Sequence, residues 1–178
     1  AGTSVFNATD WRSWYIGCGY NRRSGLVCPC WRIYFRNRIA AAFPEPAPRD
    51  TMKEAVIKKA IAMRSRAHAP FSNYRVGAAV ETQSGEIIGG CNVESSSYGL
   101  TCCAERVALF RAVAEGHTSF RSMAVATHNS GMPCGACRQV IWELCSDIPI
   151  HICNEQKCVK TISSKDLLPD AFDKSKLL

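Results

Sequence analysis

The sequence predicts an α/β fold in which five strands form one sheet covered on both faces by helices. Three observations carry this reading. Helical and strand-like segments alternate after residue 50. Proline and glycine punctuate the boundaries between them. Two inner helices each open on a cysteine, directly after a loop that leaves a strand.

The elements follow in order. Thr51 and Glu54 have the spacing of a capping box, and Ala55, Ile57, Ala60, Ile61 and Met63 continue a helix of about four turns that ends before Pro70. Residues 74–81 and 86–93 read as strands joined through Ser84-Gly85, so they form a hairpin. A helix is expected from Cys103 to Gly116, with Val107, Phe110 and Ala114 at helical spacing. Residues 122–127 form a short apolar strand, and Pro133 opens a helix from Cys134 to Cys145. Strands at 148–153 and 159–162 precede a brief helix over 163–168.

Composition narrows the function classes. The chain has 178 residues, 47% of them hydrophobic and 21% charged, which is ordinary globular usage. No apolar run is long enough to span a bilayer, and the first residues lack the apolar stretch of a secretory signal. The net charge is +7, and residues 1–50 carry seven basic against three acidic side chains. The remainder is nearly balanced, which is weak support for a nucleic-acid partner. Eleven cysteines, an odd number including the adjacent pair Cys102–Cys103, fit metal ligation in a reducing, cytoplasmic setting better than a disulfide scaffold.

Residues 1–49 form an extension of a different character. They hold Trp11, Trp14 and Trp31, an Arg-rich stretch and a proline-rich linker at 43–48, and the boundary is set at 49/50. Cys18, Cys28 and Cys30 offer three thiols for a second metal, although Cys28-Pro-Cys30 is tighter than the commonest zinc-knuckle spacing. Organelle targeting by this arm stays open.

The chemistry is concentrated in Cys103-Ala-Glu105 and Cys134-Gly-Ala-Cys137. A Cys-x-x-Cys pair at a helix start presents two thiolates to one ion, and Cys103 supplies a third. Three thiolates suit Zn2+ and leave a fourth position for water, whose pKa the ion lowers so that hydroxide is available near neutrality. Glu105, two residues beyond a ligand, can reach that water and carry its proton to a ring nitrogen and a departing amine. This is the spacing of zinc base and nucleoside deaminases. Helix N-termini, Arg106 and Arg138 offset the charge of the thiolates. Cys102 is expected to be a small buried residue. A redox pair or a structural zinc clip are the bland readings of Cys-x-x-Cys, and neither explains Glu105. Asn92 and Glu94 alternate at a strand end, so both can face a ribose diol or simply solvent. Tyr74 and Phe71 can stack on a base or belong to the core.

Residues 51–178 resemble the small zinc-dependent cytidine deaminases of pyrimidine salvage. The matching text is Tyr74-Arg-Val-Gly-Ala-Ala-Val80, Gly90-Cys-Asn-Val-Glu94, Ser97-Tyr-Gly99, Cys103-Ala-Glu-Arg106, Pro133-Cys-Gly-Ala-Cys-Arg-Gln139 and Leu167-Leu-Pro-Asp-Ala-Phe172. The resemblance implies a three-layer α/β/α sandwich with a mixed five-stranded sheet, one Zn2+ per subunit on Cys103, Cys134 and Cys137, and Glu105 as proton shuttle. It implies hydrolysis of cytidine and 2′-deoxycytidine to uridine, 2′-deoxyuridine and ammonia, by a zinc-bound hydroxide attacking C4. Asn92 and Glu94 would hold the sugar, and Arg106 would temper the charge on the sulfurs. Tyr74 falls where the family usually packs a phenylalanine against the substrate. Tyr98 and Phe172 match residues that complete a neighbour's site in a homotetramer. Ser95 replaces the usual asparagine, and the loop at 128–132 is short. A polynucleotide cytosine deaminase and a deaminase of an aminopyrimidine nucleoside antibiotic are the alternatives, and the sugar-binding pair weighs against the first.

Overall fold

The computed structural model describes residues 49–177. The expectations for Cys18, Cys28, Cys30, the proline-rich linker and the rest of the N-terminal arm lie outside the described residues. Four helices are labelled in chain order: α1 (Arg49–Met63), α2 (Ala104–Ala114), α3 (Gly135–Cys145) and α4 (Ser164–Leu167). The strands are β1 (Gly77–Thr82), β2 (Ile87–Cys91), β3 (Phe120–Ala126), β4 (Pro149–Cys153) and β5 (Cys158–Ser163).

The strands form one sheet in the order β2-β1-β3-β4-β5. It is mixed, because β3 and β4 run parallel while the other neighbours are antiparallel. That single parallel pair needs a crossover connection, and α3 supplies it. Strand alternation then sends side chains to two different cores. Ala78, Val80, Met123, Val125, Ile150 and Ile152 face α2 and α3, together with Leu109 and Ile141. Ala79, Ala124, Ala126 and Cys153 face the other way, against Val56 and Ala60 of α1. The outcome is the expected three-layer α/β/α sandwich.

Small residues set how closely the helices approach. A methyl group at Gly77 would lie 2.1 Å from the Ala60 carbonyl oxygen of α1, and one at Gly90 would lie 2.4 Å from the Ala108 nitrogen of α2. Both helices therefore rest their backbones on glycine, one on each face of the sheet. Register fixes the location of the site. Gly77 of β1 pairs with Cys91, the last residue of β2, and with Ala126, the last residue of β3. β2 and β3 thus end on either side of the start of β1, at one end of the sheet, and the segments leading to α2 and α3 leave from there.

Local expectations were met with two differences. Helix α1 already includes Arg49 and Asp50, so it starts two residues before Thr51, where the sequence placed its start. The strand read from residue 74 begins only at Gly77: the Tyr74 nitrogen and carbonyl and the Val76 nitrogen bond to side chains, and the Val76 carbonyl alone accepts from backbone, the Asn92 nitrogen.

Candidate active site

Cys103 and Cys134 occupy equivalent positions, each the extended residue immediately before a helix. Cys137 lies one turn into α3 and is fully buried. The three sulfurs lie within 4.8 Å of one another, and those of Cys103 and Cys134 are 4.0 Å apart. Tetrahedral zinc with Zn–S bonds of about 2.3 Å requires sulfurs about 3.8 Å apart. The trio fits that requirement, and two helix N-termini favour negative charge there. Cys102 stays out of the trio. It is partly exposed instead of buried, and its backbone pairs with Val93.

The thiols share their protons unequally. Cys103 is held down to about 5, first by a hydrogen bond from the Cys137 thiol and then by Arg106 and Cys134, against the opposing effect of burial. Cys137 is correspondingly pushed up, by that same bond and by burial. Arg106 donates from Nη2 to the Thr101 carbonyl at 3.0 Å and to Cys103 Sγ at 3.9 Å. Its buried Nε has no hydrogen-bond partner among the described residues. A cation turned toward sulfur at the cost of an unpaired N–H is suited to an anionic cluster. Arg138, also expected to offset the thiolate charge, is engaged by backbone carbonyls. Its guanidinium donates to the carbonyls of Pro133 and Leu167, at 2.8 and 3.1 Å, and ties the thiol-bearing loop to the C-terminal segment.

Glu105 sits in the first turn of α2 and is 4% exposed. Burial pushes its carboxyl up to about 7, reinforced by the charge on Cys103 and opposed by its own backbone N–H and the Cys137 thiol. A carboxyl at that value can both take and give a proton near neutrality.

A second cluster flanks the first. The Asn92 amide accepts from the Val76 nitrogen at 2.8 Å and donates to the Tyr74 carbonyl at 2.9 Å. One N–H and one lone pair of that amide remain for another partner. The Glu94 carboxylate accepts from the backbone nitrogens of Phe71 and Ser72, at 2.8 and 3.2 Å, and from the Ser72 hydroxyl. These bonds, led by the Ser72 hydroxyl, hold its pKa below the usual carboxylate value. Asn92 and Glu94 therefore do face the same segment, residues 71–76. The Tyr74 hydroxyl donates to Asn129 Oδ1 at 2.7 Å. Tyr98 and Phe172 are both well exposed. Tyr98 makes an edge contact with Phe71, and the Phe172 carbonyl accepts from Gln139 of α3. Ser72 and Asn129 were missed in the sequence, where short polar residues in loops carry no pattern of their own.

A sequence model of the family described as the cytidine and deoxycytidylate deaminase zinc-binding region matches residues 50–152. The chain belongs to that family. A cytidine deaminase of Halalkalibacterium halodurans is 45% identical over 123 residues, covering 67% of this chain and 93% of the relative. One from Sporosarcina psychrophila is 42% identical over 127 residues, covering 70% and 93%. The crystal structure of cytidine deaminase from Burkholderia pseudomallei superposes with a TM-score of 0.64 at 48% identity, covering 67% of this deaminase chain and 98% of that one. Among the described residues, no helix is long and apolar enough to cross a membrane.

Proposed function

We propose that this chain hydrolyses the 4-amino group of free cytidine and 2′-deoxycytidine, releasing uridine or 2′-deoxyuridine and ammonia, with one zinc ion per subunit held by Cys103, Cys134 and Cys137. The observation that carries the reading is the convergence of three thiols within 4.8 Å of one another at two helix starts, with the buried carboxyl of Glu105 two residues after one of them. When bound, zinc supplies a water acidic enough to act as nucleophile near neutrality. Glu105 takes one proton of the water and delivers it to N3 of the pyrimidine, then carries the remaining proton, from the new C4 hydroxyl, to the departing 4-amino nitrogen as the C4 carbonyl forms. Its burial keeps bulk water from competing for those transfers. Arg106 offsets the charge of Cys103. The free N–H and lone pair of Asn92, together with the Glu94 carboxylate, bind the sugar hydroxyls, and the Tyr74 ring packs on the base.

Tyr98 and Phe172 then act across subunits in a homotetramer. Their exposure, 77% and 56%, supports this, since large apolar side chains left in solvent mark contact surfaces. A reducing, cytoplasmic location suits the thiol site. The test compares substrates by the near-ultraviolet change that accompanies loss of the amino group. Cytidine and deoxycytidine should convert steadily, and a cytosine-containing single-stranded oligonucleotide should not. Conversion of the oligonucleotide alone would overturn the free-nucleoside reading. Sedimentation should give a mass near four chains of 19.6 kDa.

A further inference from the structure

Tyr74 is held at three points. Its nitrogen donates to the Ser72 hydroxyl at 2.9 Å, its carbonyl accepts from the Asn92 amide, and its hydroxyl donates to Asn129 at 2.7 Å. The third bond leaves the sugar-side cluster and crosses to the loop between β3 and the Cys134 thiol. That loop is knotted on itself. Thr127 Oγ1 donates to Asn129 Oδ1 at 3.2 Å and accepts from the Gly131 nitrogen at 2.6 Å, while Ser130 takes a positive φ of 58°. A non-glycine residue in that region is strained unless its surroundings hold it there. Two further contacts bear on the loop. The His128 ring meets the Tyr74 ring edge-on with centroids 5.1 Å apart, and a methyl group at Gly131 would lie 2.3 Å from the Tyr74 hydroxyl. The phenol thus occupies a slot that only glycine leaves open.

We infer that Tyr74 is a positioning residue whose hydroxyl latches Asn129, fixing the 127–133 loop as a wall of the nucleoside pocket and so setting affinity for the substrate. The inference rests on the functional reading above for its link to the nucleoside, but the latch itself is a property of the fold. A phenylalanine at position 74 would keep the ring and lose the bond. In this chain the aromatic face and the loop wall are one assembly, and the face that packs on the base is aligned by the bond at its far end.

The test is a double-mutant cycle with Tyr74→Phe and Asn129→Ala, read in two ways. In hydrogen–deuterium exchange of the zinc-loaded protein, each single variant should speed exchange of residues 127–133 by about two- to tenfold, the scale of one neutral hydrogen bond. In steady-state turnover of cytidine, KM should rise by a similar factor in each, with the effect falling on KM and not on kcat. In both readouts the double variant should resemble Asn129→Ala alone, because that change already removes the shared bond together with the Thr127 contact to the same oxygen. Additive KM effects would mean that the Tyr74 hydroxyl touches substrate directly and would overturn the proposal. Unchanged exchange in Tyr74→Phe would overturn it as well. If the unaltered chain does not turn over cytidine, the functional reading fails while exchange still decides the latch.

Discussion

Gly90 links the packing of the sheet to the geometry of the thiol site, and Gly90→Ala tests that link. Its new methyl would meet only backbone of α2: the Ala108 nitrogen at 2.4 Å, the Ala104 carbonyl oxygen at 2.7 Å and the Ala108 Cα at 2.9 Å. Ordinary contact begins near 3.4 Å, so α2 must retreat from the sheet by about 1 Å. That helix carries Glu105, and Cys103 precedes it, while Cys134 and Cys137 belong to α3 and stay behind. A misplacement of about 1 Å can cost on the order of 100-fold in rate, and overpacking of this kind costs about 1–3 kcal/mol in stability. Gly89→Ala on the same strand is the control. It faces α1, and its methyl would meet the Met63 and Lys59 side chains at 2.8 and 2.9 Å. Flexible side chains can swing aside where backbone cannot. The assay is kcat/KM for cytidine beside urea unfolding of both variants. Gly90→Ala should lose about 100-fold while Gly89→Ala stays within about threefold of the unaltered enzyme. Equal activity in the two variants would refute the argument that helix height sets the site.

Two other outcomes are expected. The His151 imidazole is 4% exposed and burial lowers its pKa to about 4, with Lys53 adding to the effect. It stays neutral in the fold while the unfolded chain takes up a proton near 6.5, so the protein should lose on the order of 3 kcal/mol as pH falls from about 6.5 to 4. Urea midpoints of the unaltered protein and His151→Gln should converge over that range, and parallel pH curves would count against it. Cys137→Ser should weaken zinc binding beyond the about 10–100-fold that loss of an outer hydrogen-bond partner costs, with metal content after dialysis as the measure. Zinc retained at one per chain would exclude Cys137 as a ligand.

The order of helices and strands was legible because each element carries its own period and punctuation. The thiol trio was legible too, since Cys103, Cys134 and Cys137 sit at helix starts that one sheet edge brings together. Contacts between loops were not. Nothing about Asn129 in the sequence points to Tyr74, fifty-five positions earlier, and the bond exists only because β1 and β3 are neighbours. Asn92 and Glu94 were read as pointing one way, toward a sugar or solvent, and the sequence did not show that both also bond the backbone of residues 71–76. Adjacency to a ligand in sequence suggested charge compensation for Arg138 and gave no sign that its guanidinium also reaches the Pro133 and Leu167 carbonyls. The start of α1 was read two residues late, because a three-residue spacing does not reveal whether helix precedes it.

The account stands most directly on Glu105, and Glu105→Gln isolates it. Glutamine keeps the size of the side chain and leaves the three thiols in place, but it cannot carry a proton. Zinc content and cytidine turnover should be measured on the same preparations of unaltered protein and variant. The account predicts one zinc per chain in both, conversion of cytidine to uridine by the unaltered protein, and turnover lower by at least about 100-fold in the variant. Equal turnover in a variant that retains its zinc would contradict the role given to this carboxyl.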